Sequence, residues 1–352
     1  MSEPIRSYEP ATGELLWEAP PSDVAAQIRL VERSWPAWAA MPFSYRVETI
    51  RRFVNAVRAA EDTFSDLIAR ETGRPLWHAR SEVVELVERT DRAISAYSER
   101  TGQRKLEGAL GAKMALRHKP HGVLAVIGPH VMPARAPADH IIPALLAGNG
   151  VLFKPSEKAP ATGEFLVGLL HEAGVLQDLI QCVIGGPDAG KALVADDAVR
   201  GILFTGSTQN GVAIARACAS RPGKLAALEL SGNNPIIAWD TPDIASSAAL
   251  IVQSAFGAGG QQLGLAQVVV ADQLLQLGLV HHRRDLLGQL VHVAVAALQA
   301  ERRLGAVAVI LRGAGDVLLV DPVDHVAHAQ HALQGGGDLV HLGPGVGMAE
   351  TV

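Results

Sequence analysis

The sequence predicts an α/β protein with a parallel sheet covered by helices on both faces. Beyond Gly122, short apolar runs of strand length alternate with helical stretches of about ten to fifteen residues. Strands joined through helices in this way run parallel. The runs are almost continuously apolar, as strands buried on both faces must be. The chain has 352 residues, 48% apolar and 19% charged, which is enough for two domains and a well-buried core.

In chain order, Val47, Ile50, Phe53, Val54, Val57, Leu67 and Ile68 largely follow helical spacing, and Val83, Leu86, Val87, Ile94 and Tyr97 repeat it. The N-terminal part therefore reads as mainly helical. Arg104 to Pro120 contains Gly108, Gly111 and a basic stretch from Arg117 to Lys119, which suits a β-hairpin arm over residues 103–121. Val123 to Ile127, Val151 to Phe153, Leu179 to Ile184, Ile202 to Phe204 and Leu225 to Leu230 are the strands, with helices opening near Pro133, Ala161, Ala189 and Gln209. Ligands of such sheets gather at the carboxyl ends of the strands. The first domain is expected over 1–230 and the second over 231–352. Beyond Phe256 no Phe, Trp, Tyr, Lys, Ser, Asn or Cys recurs. That break is either a domain boundary with relaxed sequence or a degraded, partly out-of-frame gene end.

Composition excludes several functions. A net charge of −5 gives no basic face for nucleic acid. The N-terminus carries Glu3, Glu9 and Glu14 and no apolar run, so neither a signal peptide nor a membrane span is expected, and the cytoplasm is the predicted location. Cys182 and Cys218 lie in apolar segments and read as reduced core thiols. His325, His328 and His331 recur every third residue, which spreads them around a helix instead of converging them on an ion, so no metal site is expected.

Candidate chemistry sits at the strand ends. Lys154 and Glu157 close one strand, where an ammonium and a carboxylate would face a dinucleotide crevice or form a solvated turn. Gly206, Ser207, Thr208, Gln209, Asn210 and Gly211 follow another strand and open a helix, whose free amides and dipole can receive a pyrophosphate or be closed by an ordinary Ser or Thr cap. Gly185, Gly186 and Gly190 would allow a close backbone approach.

Several segments carry a resemblance. Tyr8 to Glu14 reads YEPATGE, Arg70 to Trp77 reads RETGRPLW, and Ala96 to Gly102 reads AYSERTG. His140 to Asn149 runs into Val151 to Glu157, followed by Phe204 to Ser207, Leu228 to Pro235 and Ser254 to Phe256. In this order, over residues 1 to about 270, the chain resembles the aldehyde dehydrogenases, most closely the succinylglutamate-semialdehyde branch. The resemblance implies an aldehyde dehydrogenase-like fold: a Rossmann-type cofactor domain, an oligomerisation hairpin and an α/β catalytic domain, here truncated. It also implies NAD as cofactor, with Lys154 and Glu157 on the adenosine ribose. The carboxylate at Glu157 would repel a 2′-phosphate. Glu229 matches the general base that activates water, a task suited to partial burial. The reaction implied is oxidation of N-succinylglutamate 5-semialdehyde to N-succinylglutamate in arginine catabolism.

Two departures and one boundary work against that reaction. Leu263 stands where the family has its nucleophilic cysteine, and a leucine has no lone pair with which to attack an aldehyde. Val131 stands where the family has the oxyanion-binding asparagine; loss of one such donor costs roughly 3–4 kcal/mol. The family's late nicotinamide-binding segment and terminal strand are not reached by Val352, so the family's homo-oligomer is not expected. The sequence thus reads as a pseudoenzyme that binds NAD and meets a small aldehyde without oxidising it. A non-catalytic binding or regulatory protein and an unstable remnant of a decayed gene are the alternatives.

Overall fold

The computed structural model describes residues 3–102, 104–107, 113–232, 234–238, 246–247, 250, 254, 266–271, 307–311 and 317–320. The chain divides into two compact units, Met1–Ser231 and Gly232–Val352.

The first unit opens with an antiparallel hairpin, β1 (Ile5–Tyr8) and β2 (Leu15–Ala19), which the helical spacing downstream did not announce. Four helices follow: α1 (Val24–Ala40), α2 (Phe43–Ala59), α3 (Glu61–Thr72) and α4 (Leu76–Thr101). Their limits are local chemistry. Asp23 caps α1 by accepting from the Ala26 amide at 2.9 Å. Gly73 ends α3 with a φ of 72°, a conformation that favours glycine. Pro42 and Pro75 precede α2 and α4 and need no donor there. The expected hairpin is formed by β3 (Arg104–Glu107) and β4 (Lys113–Leu116), paired antiparallel.

The sheet strands are β5 (Val123–Ile127), β6 (Gly150–Lys154), β7 (Ile180–Cys182), β8 (Val199–Gly206) and β9 (Leu225–Leu230). All pair parallel in the order β7-β6-β5-β8-β9. The intervening helices are α5 (Arg135–Leu146), α6 (Pro160–Glu172), α7 (Pro187–Ala195) and α8 (Thr208–Ala219). Side chains alternate between the faces of each strand. On one face Val151, Phe153 and Leu203 pack with Ile141 and Leu145 of α5 and with Ile50, Phe53, Phe64 and Leu86 of the helical layer. On the other, Leu152, Ile202 and Phe204 pack with Ile28 and Val31 of α1, Leu193 of α7 and Cys218 of α8. Full burial of each large side chain stabilises by about 1.5–3 kcal/mol.

Two glutamates from the helical layer close helices of the sheet domain. Oε1 of Glu82 accepts from the Ala134 and Arg135 amides at 3.0 and 3.1 Å, while its Oε2 is paired with buried Arg74. Glu71 accepts from the Ala161 and Thr162 amides at 2.9 and 2.8 Å. The amino ends of α5 and α6 are thereby satisfied by buried carboxylates.

The second unit contains β10 (Asn234–Ala238), β11 (Ala266–Ala271), β12 (Val307–Leu311) and β13 (Val317–Val320), in that order across one sheet. The first three strands pair parallel and β13 pairs antiparallel to β12. Leu263 and the tail histidines lie outside the described residues.

Candidate functional site

At the carboxyl edge the chain leaves β5 toward β6 and leaves β8 toward β9, in opposite directions, so a topological switch point lies between β5 and β8. Backbone register fixes what meets there. Ile127 pairs with Lys154 on one side and Phe204 on the other, and Thr205 pairs with Glu229 one residue further toward the carboxyl edge. The loop from β5 to α5 carries Val131, half-buried, and Met132, whose φ of 53° is unusual for a residue with a side chain.

Lys154 ends β6 on the α7 side of the sheet. Its side chain is buried, and its ammonium donates to the Pro155 carbonyl at 2.9 Å and lies 3.7 Å from the Glu157 carboxylate. The solvated-turn alternative therefore fails for the lysine, while Glu157 remains largely exposed. Burial lowers the Lys154 pKa, and Glu157 opposes that shift. Gly190 of α7 faces this lysine: a Cβ there would meet the Lys154 Cδ at 3.7 Å. Gly186 precedes α7, and among the described residues a Cβ on it would meet nothing within 4 Å, which leaves its backbone open to close approach. His130, in the neighbouring loop, has its pKa lowered by burial and by Lys158.

The amino end of α8 differs from those of α5 and α6. No buried carboxylate closes it among the described residues. Ser207 caps it by accepting from the Asn210 amide at 3.3 Å, and Ser207, Thr208, Gln209 and Asn210 are all exposed. The Thr208 and Gln209 amides have no intrahelical acceptor by helix geometry. The cap and the open amides coexist, so the two readings of this segment are compatible. Thr208 Oγ1 donates to the Ser231 carbonyl at 3.0 Å, and Ser231 donates its amide to the Gly206 carbonyl at 3.0 Å. Gly211 lies so close to Leu230 that a Cβ would fall 2.1 Å from Leu230 Cδ2. These contacts tie the start of α8 to the end of β9.

Glu229 points to the opposite, α5 face. Its Oε2 accepts from the Thr205 hydroxyl at 3.3 Å and lies 3.8 Å from His140 Nε2, which is 3.1 Å from Thr205 Oγ1. The side chain is 61% exposed, so the partial burial expected for a base is not provided here. The structure thus brings Lys154, Glu157, Gly186, Gly190 and the α8 start to the α7–α8 side, and sets Glu229 on the other. His140 and Thr205 escaped the sequence reading as site residues. Their only signal was position, His140 opening the matched run 140–149 and Thr205 preceding Gly206. Cys218 is buried, and burial pushes the Cys182 thiol upward, so both are weakly reactive. Among the described residues no helix is long and apolar enough to cross a membrane.

Comparison with known proteins bears on the family and the fold. The aldehyde dehydrogenase family signature matches residues 1–276. The N-succinylglutamate 5-semialdehyde dehydrogenase of Sphingopyxis alaskensis is 53% identical over 291 residues, covering 83% of this chain and 60% of that protein. The enzyme of the same name from Novosphingobium aromaticivorans is 50% identical over 287 residues, covering 82% and 61%. Crystal structures of similar fold include an aldehyde dehydrogenase from Brucella melitensis biovar abortus 2308, with a TM-score of 0.75 at 25% identity over 84% of this chain and 60% of that one. Another is the NADP-dependent glyceraldehyde-3-phosphate dehydrogenase of Bacillus halodurans C-125 complexed with NADP, with a TM-score of 0.73 at 26% identity over 85% and 62%. The chain spans about 60% of the length of the curated relatives it matches. It belongs to the aldehyde dehydrogenase family.

Proposed function

We propose that this chain is a nucleotide-binding member of the succinylglutamate-semialdehyde branch that does not oxidise aldehydes. The observation that carries the binding half is the contrast between helix ends. Glu82 and Glu71 occupy the amino ends of α5 and α6, whereas the start of α8 keeps exposed amides at the carboxyl edge of the sheet. A pyrophosphate at Ser207 to Asn210 would find donors and a favourable dipole. The Lys154 ammonium and the Glu157 carboxylate have the chemistry to meet ribose hydroxyls, and the open backbone of Gly186 leaves room beside them. Glu157 favours NAD over NADP by repelling a 2′-phosphate. The residues present therefore fit the dinucleotide.

NAD, when bound, supplies the hydride acceptor. The protein's share of the reaction is a nucleophile, an oxyanion donor and a base, and of these only the base, Glu229, is retained in the sequence. Leu263 cannot form a tetrahedral adduct with an aldehyde, and Val131 presents no side-chain amide to the oxygen that would become charged. N-succinylglutamate 5-semialdehyde is the aldehyde proposed to approach the site, from the names of the relatives. In this reading residues 1–230 hold the nucleotide, and 231–352 carry the position of the missing nucleophile. Isothermal calorimetry of the full chain with NAD and with NADP tests the binding half: saturable heat with NAD, weaker with NADP, is expected, and no saturable heat with either overturns it.

A further inference from the structure

A cluster of titratable groups that the proposed nucleotide site does not use lies on the α5 face of the sheet. Thr205 is buried and stands between two partners. A hydroxyl has a single proton, and Glu229 as a carboxylate can only accept, so the Thr205 hydroxyl donates to Glu229. Its lone pairs then accept the Nε2–H of His140 at 3.1 Å. The result is a directed chain, His140 Nε2–H to Thr205 Oγ1–H to Glu229 Oε2.

We infer that His140 is a positioning residue for Glu229, acting through Thr205. The chain holds one carboxylate oxygen, and the other, on an exposed side chain, has no partner among the described residues and can meet water or ligand. Helix α5 fixes His140 because its first turn is anchored by Glu82, so the imidazole is delivered from a rigid element. The charged groups facing it are Glu229 from β9 and Asp139 on its own helix. Asp139 is in turn held by Arg89 of α4 at 3.1 Å and by Arg135 at 3.4 Å. Burial lowers the His140 pKa, while Glu229 and Asp139 raise it, so the neutral imidazole is the resting form and its titration reports on Glu229. The inference rests on Glu229 being the retained carboxylate of the proposed function, but not on NAD binding or turnover.

The test is the titration of His140 by NMR in the full chain carrying ring-labelled histidine, with His140→Gln assigning the resonance. Glu229→Gln is expected to lower the His140 midpoint, because a neighbouring negative charge is lost. Thr205→Val is expected to lower it as well, and Thr205→Ser to restore it, since serine keeps the hydroxyl. Glu229→Gln should also have a smaller effect in the Thr205→Val background than in the wild type, which a merely structural role for Thr205 does not produce. An unchanged midpoint in Glu229→Gln, or an equal effect with and without the Thr205 hydroxyl, overturns the inference. Circular dichroism of each variant confirms folding, and calorimetry with NAD on the same samples separates this outcome from a failure of the nucleotide site.

Discussion

Thr205 and Glu229 stand side by side on the parallel strands β8 and β9, and the hydroxyl of one donates to the carboxylate of the other across 3.3 Å. The same register that pairs them sets Gly206 beside Leu230 and so places the start of α8 next to the end of β9. The expected nucleotide helix and the retained carboxylate are thus neighbours in the backbone, though they serve opposite faces of the sheet.

Nucleotide binding should depend on the strand-end residues. Lys154→Ala with Glu157→Ala is expected to weaken NAD binding at least tenfold, about 1.4 kcal/mol, through lost hydrogen bonds to charged groups. Calorimetry on the double variant checks this, and unchanged affinity would remove the assignment. Glu157→Gln alone should narrow the preference for NAD over NADP.

Affinity should also vary with pH. The Lys154 ammonium exists below its pKa, which burial has lowered from the ordinary lysine range. As pH rises through that lowered value the ammonium is lost, so NAD binding should weaken at a pH where an exposed lysine would still be charged. A Lys154→Met variant should bind weakly with no such decline, and titrations at a series of pH values distinguish the two.

The glutamates that close α5 and α6 should dominate stability. Glu82→Gln leaves Arg74 buried without its counter-charge and is expected to cost about 3–5 kcal/mol. Glu71→Ala strands two buried amides, at about 1–3 kcal/mol each when no water replaces the carboxylate. Urea unfolding of both variants measures this. A Glu82→Gln chain as stable as the wild type would show that the pair is not a structural anchor.

Much of this architecture was legible because it is periodic. The five parallel strands and four intervening helices follow from apolar runs and their punctuation, and Lys154, Glu157 and Ser207 stood out as polar groups ending such runs. The β1–β2 hairpin did not show, since Ile5–Tyr8 and Leu15–Ala19 are short and bury only Ser7 fully. Glu71, inside the matched run Arg70 to Trp77, and Glu82 were given no role by the sequence. Their partners are amides 90 and 52 residues away, and only the packing of one layer on another reveals them. His140 was hidden for the same reason, because its contact with Thr205 spans 65 residues. Leu263 and Val131 were legible only through resemblance: an apolar side chain signals a missing function solely against a pattern that has a polar one.

The most direct test of binding without oxidation is NADH formation by the purified full chain supplied with NAD and N-succinylglutamate 5-semialdehyde, followed by absorbance beside a Glu229→Ala control. The expected result is no NADH above the control, and Leu263→Cys is expected to leave it so, because Val131 still withholds the oxyanion donor and catalytic groups act as a unit. NADH formation by the unaltered chain that disappears in Glu229→Ala would contradict the account and require a nucleophile other than the residue at 263.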